Sequence, residues 1–262
     1  MVVGGLRKRK TAMEINKIYN EDCLIGMQRI ADKSVDCVIC DPPFGTTANK
    51  WDSVIPFDKM WEQLNRIVKP KGNIILFGCG LFGMKLVLSN ERKYRYELIW
   101  KKSKCGSPLS AKHMPLKKHE NIYVFGDSAS YYEPQMSVGT PYKRKFTPNN
   151  VNNMRYGING VYTDNKGTRH PITILDFPQK WRRQDQLHPT QKPVELIEFL
   201  VKSYCPIDGV VLDFCMGSGT TAIACLNTNR KFIGFELDKG YYDIAVKRVN
   251  ECKKQNNYEK RN

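Results

Sequence analysis

One short segment combines an acid, two prolines and an aromatic ring at the end of an apolar run. The sequence CVICDPPFGTT contains Asp41, Pro42, Pro43 and Phe44. Proline fixes its own φ and favours an extended conformation in the residue before it, so the Asp41 carboxylate and nearby carbonyl oxygens are held in place. Such a corner presents hydrogen-bond acceptors beside an aromatic face. It therefore suits the exocyclic amine of a planar base, with Phe44 stacking on the ring.

A second cluster, in the C-terminal third, has the residue types of a nucleotide pocket. In VVLDFCMGSGTTA, Gly217, Ser218 and Gly219 stand between an apolar run and a helical pattern, where glycines permit a tight turn next to free helix amides. Glu236 ends the next predicted strand and can accept both hydroxyls of a ribose. With Ala222 the pattern also satisfies the G-x-G-x-x-A dinucleotide motif, so a nicotinamide-dependent oxidoreductase is an alternative.

Asp213, four residues before the first glycine, favours a different nucleotide. Its carboxylate would repel a pyrophosphate but suits a ligand with an ammonium group and a cationic centre. S-adenosylmethionine has both groups and a ribose. We therefore predict a site in which a methyl group passes to an amine by in-line displacement, with the enzyme mainly positioning the reactants. A base within a duplex must be flipped out to reach it, which costs a few kcal/mol, and stacking on Phe44 offsets much of this.

The elements that must position both clusters alternate between strand and helix patterns. VDCVIC predicts a strand buried on both faces, and FDKMWEQLNRIV has helical spacing. Residues 14–125 and 188–262 follow this alternation, which predicts two halves of one open, mostly parallel α/β sheet. Residues 126–187 show no sustained periodicity and predict an insertion for target recognition. Residues 1–13 predict a flexible basic extension.

The charge of the chain favours a polyanionic partner. Forty-two Lys and Arg against 26 Asp and Glu give a formal net charge of +16 over 262 residues, which is typical of nucleic-acid binders. Residues 101–119 carry six Lys and no acid, and residues 138–183 carry nine Lys or Arg against two Asp. We predict that these segments contact DNA phosphates and bases, with a solvated basic loop as the alternative.

The apolar stretches, cysteines and histidines of the sequence indicate which classes of protein and which kinds of site are not expected. The longest apolar stretches are strand-sized, so we predict no membrane span and a cytoplasmic protein. The nine cysteines are scattered through apolar runs, which predicts reduced thiols rather than a disulfide framework. Neither the cysteines nor the four histidines show metal-site spacing, so we predict no metal.

Taken in this order, the motifs resemble those of amino-directed DNA methyltransferases, in the permuted group whose catalytic motif precedes the cofactor motif. The resemblance spans about residues 15–125 and 187–250. The family motif D-P-P-[YF] matches Asp41 to Phe44, which implies that Asp41 binds the target amine and that Phe44, where Tyr is commoner, stacks on the base. It also implies a Rossmann-like methyltransferase fold, with a mostly parallel seven-stranded sheet and helices on both faces.

The resemblance implies roles for further residues. IYNEDC resembles the family segment whose acid, here Asp22, contacts the cofactor adenine. HPTQKP resembles the segment whose polar residues, here Thr190 and Lys192, reach the methionine carboxylate. KKHENIYVF is similar to a strand-entering motif beside the target pocket. Cys215 departs from the aromatic of the usual F-x-G-x-G, with Phe214 next to it among the implied cofactor residues.

In this family an Asp-first motif is associated with adenine N6 and a Ser-first motif with cytosine N4. The resemblance therefore implies site-specific transfer of a methyl group from S-adenosylmethionine to adenine N6 in double-stranded DNA. A cytosine-N4 enzyme, an RNA methyltransferase and a DNA-binding module with a decayed cofactor site stay open as alternatives. A homodimer and a cognate restriction enzyme stay open as further partners.

Overall fold

The computed structural model describes five stretches of the chain. These are residues 13–47, 52–106, 108–145, 162–179 and 191–259. The chain divides into two compact units, one formed by Met1–Glu133 with Thr173–Asn262 and the other by Pro134–Ile172. The smaller unit falls inside the insertion predicted at 126–187, whose boundaries stay a prediction. Apart from Met13, the predicted basic extension lies outside the described residues.

Twelve strands are present in the described residues, numbered here along the chain. They are β1 (Lys17–Asn20), β2 (Val35–Cys40), β3 (Val68–Gly78), β4 (Tyr94–Gly106), β5 (Lys117–Gly126), β6 (Ser137–Val138), β7 (Tyr142–Lys145), β8 (Tyr162–Asn165), β9 (Thr168–Arg169), β10 (Ile174–Asp176), β11 (Val210–Asp213) and β12 (Lys231–Glu236). Eight of them form one sheet in the order β1-β12-β11-β2-β3-β5-β4-β10. In this sheet β5 is antiparallel to both of its neighbours, and all the other pairs are parallel.

Six α-helices accompany the strands in the described residues. They are α1 (Cys23–Met27), α2 (Phe57–Ile67), α3 (Gly80–Leu88), α4 (Val194–Tyr204), α5 (Thr220–Asn227) and α6 (Lys239–Glu259). Side chains of α1, α2 and α3 pack into one hydrophobic cluster, and side chains of α4, α5 and α6 pack into another. The sheet lies between these clusters, because Cys37 and Ile39 of β2 enter one cluster while Val38 and Cys40 enter the other. The predicted α/β fold, mostly parallel with helices on both faces, is confirmed.

The predicted strand count differs from the structure, which has eight strands in this sheet within the described residues instead of seven. The additional strand is β10, which pairs in parallel with β4 and lies in the segment predicted to be irregular. The amide of Ile99 donates to the carbonyl of Thr173 at 2.8 Å, which continues this pairing. A three-residue strand carries too little periodicity to be recognised in a polar segment.

The pairing of β2 with β11 brings the two predicted motifs to the same edge of the sheet. These strands are parallel, with Cys37 opposite Val211 and Val38 opposite Leu212. Their carboxyl ends therefore lie side by side, and Asp41 follows one end while Asp213 closes the other. Ligands of open α/β sheets bind beyond the carboxyl ends of the strands, so this edge is where a site is expected.

The smaller unit contains two short antiparallel ladders, β6 with β9 and β7 with β8. The guanidinium of Arg169 donates to Asn165 Oδ1 at 2.6 Å and lies 4.8 Å from the centre of the Tyr142 ring. These contacts hold the ladders together and place basic and aromatic side chains on the same unit. Residues 146–161, which include part of the predicted basic segment, lie outside the described residues.

Other structural findings concern membranes, cysteines and metals. Among the described helices, none combines the length and apolarity that crossing a bilayer requires. All nine cysteines are free thiols. Within the described residues, no group of three or more His, Cys, Asp or Glu side chains is arranged to hold a metal ion.

Candidate active site

A cavity of about 440 Å³ lies at the edge of the sheet where β2 and β11 end. Residues predicted from both halves of the chain line it: Asp22, Asp41, Pro42, Pro43, Phe44, Lys192, Asp213, Phe214, Gly217, Ser218 and Glu236. The structure therefore brings the Asp-Pro-Pro-Phe corner and the glycine turn into one cavity. Gly219 is not among the lining residues, and Thr190 lies outside the described part of the chain.

The Asp41 carboxylate has two unlike oxygens. Oδ2 accepts a hydrogen bond from the Lys192 ammonium. Oδ1 is buried and has no hydrogen-bond partner among the described residues. A buried acceptor without a partner is costly, so a site with one is suited to a ligand that donates. Burial raises the pKa of Asp41, and the positive charge of Lys192 opposes this increase.

Lys192 connects Asp41 to a second acid that the sequence analysis missed. The Lys192 ammonium lies 3.3 Å from Glu120 Oε2, and Lys102 Nζ lies 3.0 Å from Glu120 Oε1. Burial alone would raise the pKa of Glu120, but Lys192 and Lys102 hold it well below its usual value. Glu120 belongs to KKHENIYVF, so the motif pointed to this strand without indicating the ion pair.

Phe44 is half-buried at the wall of the cavity. Its ring packs against Phe82 of α3, with 4.7 Å between the ring centres and an angle of 31° between their planes. This contact fixes the position of one ring that lines the cavity. The sequence analysis did not predict α3, so the support for Phe44 was also missed.

The loop after Phe44 is organised by Asp52. Its carboxylate accepts hydrogen bonds from the amides of Gly45, Thr46 and Thr47 at 2.8, 2.9 and 2.6 Å. Although its partial burial would raise the pKa, these hydrogen bonds lower the pKa of Asp52. Gly45 has a φ of +68°, a conformation that a side chain would strain. Asp52 therefore anchors the loop that follows the Asp-Pro-Pro-Phe corner, and it adds negative charge to the cavity wall.

Asp213 lies at the other side of the cavity and is only 4% exposed. It accepts hydrogen bonds from the Thr221 hydroxyl at 2.6 Å and from the Cys215 amide at 3.0 Å. Despite these bonds, burial raises the pKa of Asp213 to about 6. A cation that binds nearby stabilises a buried carboxylate with a raised pKa, as the predicted contact of Asp213 with a cationic ligand requires.

The turn after β11 is shaped by Glu236. Glu236 Oε2 accepts from the Gly217 amide at 2.7 Å, and Oε1 accepts from the Asp238 amide at 2.8 Å. Each carboxylate oxygen keeps a further lone pair for a hydroxyl donor, so both bonds are compatible with a ribose. Burial raises the pKa of Glu236. Gly217 has a φ of +55°, which makes glycine the suitable residue at this turn.

Gly219 and Ser218 have structural partners in α6. Gly219 is the N-cap of α5 with a φ of +84°, and a Cβ there would lie 3.1 Å from the Cβ of Ala245. The buried Ser218 hydroxyl accepts from Arg248 at 3.0 Å, while Ser218 also lines the cavity. The structure thus places Gly219 at a helix packing contact, and its predicted contact with the cofactor stays a prediction.

The remaining lining residues include an acid and three thiols. Asp22 is the N-cap of α1 and accepts from the Leu24 amide at 2.8 Å, so it is held in place at the cavity wall. Cys215, where the family has an aromatic ring, lies beside Cys23 and Cys40. Contact with Cys215 and burial raise the pKa of Cys23, and burial raises the pKa values of Cys40 and Cys215, so the three thiols are uncharged at neutral pH. They form a soft, polarisable wall beside Asp213.

These residues fit S-adenosylmethionine by their chemistry. Asp22, Asp213 and Glu236 place three carboxylates around one cavity, where they can accept from the adenine amine, the ammonium and the ribose hydroxyls. Burial raises the pKa values of Asp213 and Glu236, so a cationic or hydrogen-bond-donating ligand would stabilise these two carboxylates. Asp41 and Phe44 face the same cavity and are left for a second substrate.

Comparison with known proteins identifies relatives over most of the chain. A family model of the N6/N4 methyltransferase type, described as DNA methylase, matches residues 35–247. Type II methyltransferase M.BglII from Bacillus subtilis is 28% identical over 265 residues, covering 93% of this chain and 71% of the relative. Type II methyltransferase M1.MboII from Moraxella bovis is 27% identical over 253 residues, covering 89% and 96%.

Solved structures share the fold. The complex of M1.HpyAVI with S-adenosylmethionine superposes with a TM-score of 0.62 at 22% identity, covering 89% of this chain and 98% of that one. The cytosine-N4-specific PvuII DNA methyltransferase superposes with a TM-score of 0.63 at 16% identity, covering 93% of each chain. Both likenesses extend over the larger part of the chain.

Proposed function

The chain belongs to the N6/N4 DNA methylase family, and from that premise we propose that it methylates the N6 amine of an adenine flipped out of double-stranded DNA at a specific sequence. As a member of the family it is a DNA methyltransferase, and its cofactor is S-adenosylmethionine. The named relatives are Type II methyltransferases, which supports a place in restriction–modification beside a cognate restriction enzyme.

One observation supports an exocyclic amine as the methyl acceptor most strongly. Asp41 Oδ1 is a buried hydrogen-bond acceptor with no partner among the described residues, and Asp41 lines the cavity together with Phe44. An exocyclic amine can donate a hydrogen to Oδ1 and another to a carbonyl oxygen of the Asp-Pro-Pro corner. The base ring then stacks on Phe44, a contact worth about 1–3 kcal/mol that offsets the cost of flipping.

The residues of the cavity can perform the transfer by positioning. When bound, S-adenosylmethionine supplies an electrophilic methyl group on a sulfonium. Asp41 holds the target amine so that its lone pair points to that methyl carbon. The amine nitrogen held by Asp41 would accept the methyl group of the bound cofactor, and the electron pair of the methyl–sulfur bond would stay on sulfur. Asp41 Oδ1 is placed to accept the proton that the methylated amine releases.

The cofactor residues orient the methyl donor. Glu236 accepts from the ribose hydroxyls, Asp213 from the ammonium group and Asp22 from the adenine. Contacts of Thr190 and Lys192 with the methionine carboxylate stay a prediction. Because the Lys192 ammonium lies against Asp41 and Glu120, it also belongs to the target side of the cavity.

The predicted DNA contacts include a basic arm, defined here as residues 101–119. It includes the outer part of the β4–β5 hairpin, and its own sequence carries six Lys and no Asp or Glu. Most of its described side chains are exposed. We propose that the arm binds DNA phosphates and that the smaller unit, Pro134–Ile172, contacts base edges.

The experiment is methyl transfer followed by identification of the nucleoside. The purified chain is incubated with methyl-labelled S-adenosylmethionine and genomic DNA that lacks methylated bases, and the DNA is digested and analysed by mass spectrometry. We expect labelled N6-methyladenine, with no label on RNA. Labelled N4-methylcytosine would instead identify cytosine as the acceptor, whose amine makes the same demand on Asp41. Absence of label from DNA would overturn the proposal.

A further inference from the structure

Four charged side chains of alternating sign run from the cavity to the base of the basic arm. Their order is Asp41, Lys192, Glu120 and Lys102, and an ion pair joins each to the next. The Lys192 side chain is 8% exposed and that of Glu120 is 16% exposed, so water screens the central pair weakly. Burying such a row of charged groups costs desolvation free energy, so each group must have a partner of opposite charge.

The elements around Lys192 leave its ammonium little freedom. Lys192 directly precedes Pro193, the N-cap of α4, while Glu120 stands opposite Trp100 in the β4–β5 ladder. The ammonium also lies 4.9 Å from the centre of the Phe77 ring of β3. A cation over an aromatic ring and between two carboxylates is held from several sides.

The charges that face Asp41 are predominantly negative. Glu120 and Asp52 raise its pKa, Asp213 is close enough for the two acids to influence each other, and Lys192 is the cation of the group. Without Lys192, burial and these acids would favour the protonated form of Asp41. A protonated carboxyl is a poorer acceptor for an amine hydrogen.

We infer that Lys192 and Glu120 are positioning residues for Asp41. Lys192 donates to Oδ2 of Asp41, so that Oδ1 is the oxygen presented to the target amine. Its positive charge also keeps the Asp41 carboxylate ionised. Glu120 holds the Lys192 ammonium in that position. The inference rests on the proposed function, because it assigns Asp41 the task of binding the amine. It also gives Lys192 a role distinct from the predicted contact with the methionine carboxylate.

The two residues should shift the pH dependence of methyl transfer in opposite directions. Lys192→Met removes the cation and therefore raises the pKa of Asp41. In a plot of single-turnover rate against pH, the limb along which the rate rises with pH then moves to higher pH. Glu120→Gln keeps an oxygen that can accept from Lys192 but removes the anion, so it lowers the pKa of Asp41 and moves the limb to lower pH. A residue that merely supports the fold would not produce opposite shifts.

The experiment measures single-turnover methyl transfer from pH 5 to pH 9 with saturating DNA and cofactor. We expect Lys192→Met to move the limb upward by about one pH unit, which slows transfer by up to about ten-fold at pH values below the wild-type limb, and to recover rate at higher pH. Lys192→Arg should keep the wild-type limb position because it retains the charge. Lys93→Met, which removes an exposed lysine paired with Asp127, is the matched control and should leave the profile unchanged.

Equilibrium binding of S-adenosylmethionine separates this role from cofactor binding. We expect Lys192→Met and Glu120→Gln to bind the cofactor within about two-fold of wild type, which also shows that they fold. A large loss of cofactor affinity in Lys192→Met would overturn the inference in favour of the carboxylate contact. If Lys192→Met does not fold, the near-isosteric Glu120→Gln variant tests the inference instead. A pH–rate profile of Glu120→Gln whose rising limb is unshifted or lies at higher pH would refute the inference. Absence of transfer by the wild type would refute the proposed function instead.

Discussion

Asp213→Asn should raise the free energy of unfolding of the cofactor-free protein and lower its affinity for S-adenosylmethionine. Asp213 is 4% exposed, and its pKa rises from an ordinary value of 3.8 to about 6 because it is buried. The folded state therefore binds this proton more tightly than the unfolded state does. Above pH 6 the wild type folds with a buried charge that asparagine would not carry.

The size of the effect follows from the pKa difference. Each pKa unit corresponds to about 1.4 kcal/mol, so the charge costs up to about 3 kcal/mol of unfolding free energy above pH 6. The cost shrinks as pH falls from 6 towards 3.8 and vanishes below 3.8, where both states are protonated. Asparagine can keep a hydrogen bond to Thr221 or to the Cys215 amide, so we expect a gain of about 2–3 kcal/mol at pH 7.5 and about half of that at pH 5.

Urea unfolding at the two pH values checks this prediction without cofactor. Asp127→Asn is the control, because Asp127 is exposed and its pair with Lys93 should contribute little. Adding S-adenosylmethionine at a hundred times its dissociation constant should stabilise the wild type by about 2.7 kcal/mol and Asp213→Asn by much less. A variant no more stable than wild type at pH 7.5, or equally stabilised by cofactor, would refute the reasoning.

Three further substitutions or conditions test the separate parts of the site. Asp41→Ala should abolish methyl transfer with cofactor affinity nearly unchanged, as measured by single-turnover rates and calorimetry; retained turnover would show that the amine is held elsewhere. Phe44→Ala should lower kcat/KM by an amount equivalent to a loss of about 1–3 kcal/mol of transition-state stabilisation, whereas Phe44→Tyr should keep the wild-type kcat/KM. Equal kcat/KM values for the two variants would count against stacking. DNA affinity should fall steeply with salt, and Lys104→Met with Lys118→Met should each reduce the log–log slope by about one; a flat response would exclude the basic arm as a docking surface.

Periodicity predicted the elements that carry the motifs. The strands β2 and β11, together with α2 and α5, appear where apolar runs and helical spacing placed them. Helix α3 was missed because Gly80–Leu88 is apolar around most of its circumference and contains two glycines. Strand β10 was missed because it is short and lies in a polar segment.

The two ends of the cavity could be predicted because each lies next to its own strand. Asp41 follows β2 and Asp213 ends β11, and the adjacency of parallel strands brings them together. The ion pair of Lys192 with Asp41 joins residues 151 positions apart, and no local pattern encodes such a contact. Glu120 was recognised only as part of a motif, because its role depends on Lys192 and Lys102.

The placement of Gly219 shows why motif residues need not share a role. Gly217 and Gly219 have the same spacing signature, and both have positive φ. Gly217 donates to Glu236 at the cavity, whereas Gly219 allows α5 to approach Ala245. The sequence pattern required glycine at both positions, and only the packing of α6 separates the two reasons.

A bisubstrate analogue tests most directly whether cofactor and target amine meet in one cavity. In this compound adenosine N6 is joined by a short linker to a nitrogen that replaces the cofactor sulfur, and its dissociation constant is measured by calorimetry. Asp41→Ala and Glu236→Gln should each weaken its binding at least about ten-fold, while only Glu236→Gln weakens S-adenosylmethionine alone. Unchanged affinity of the analogue for Asp41→Ala would contradict a shared cavity.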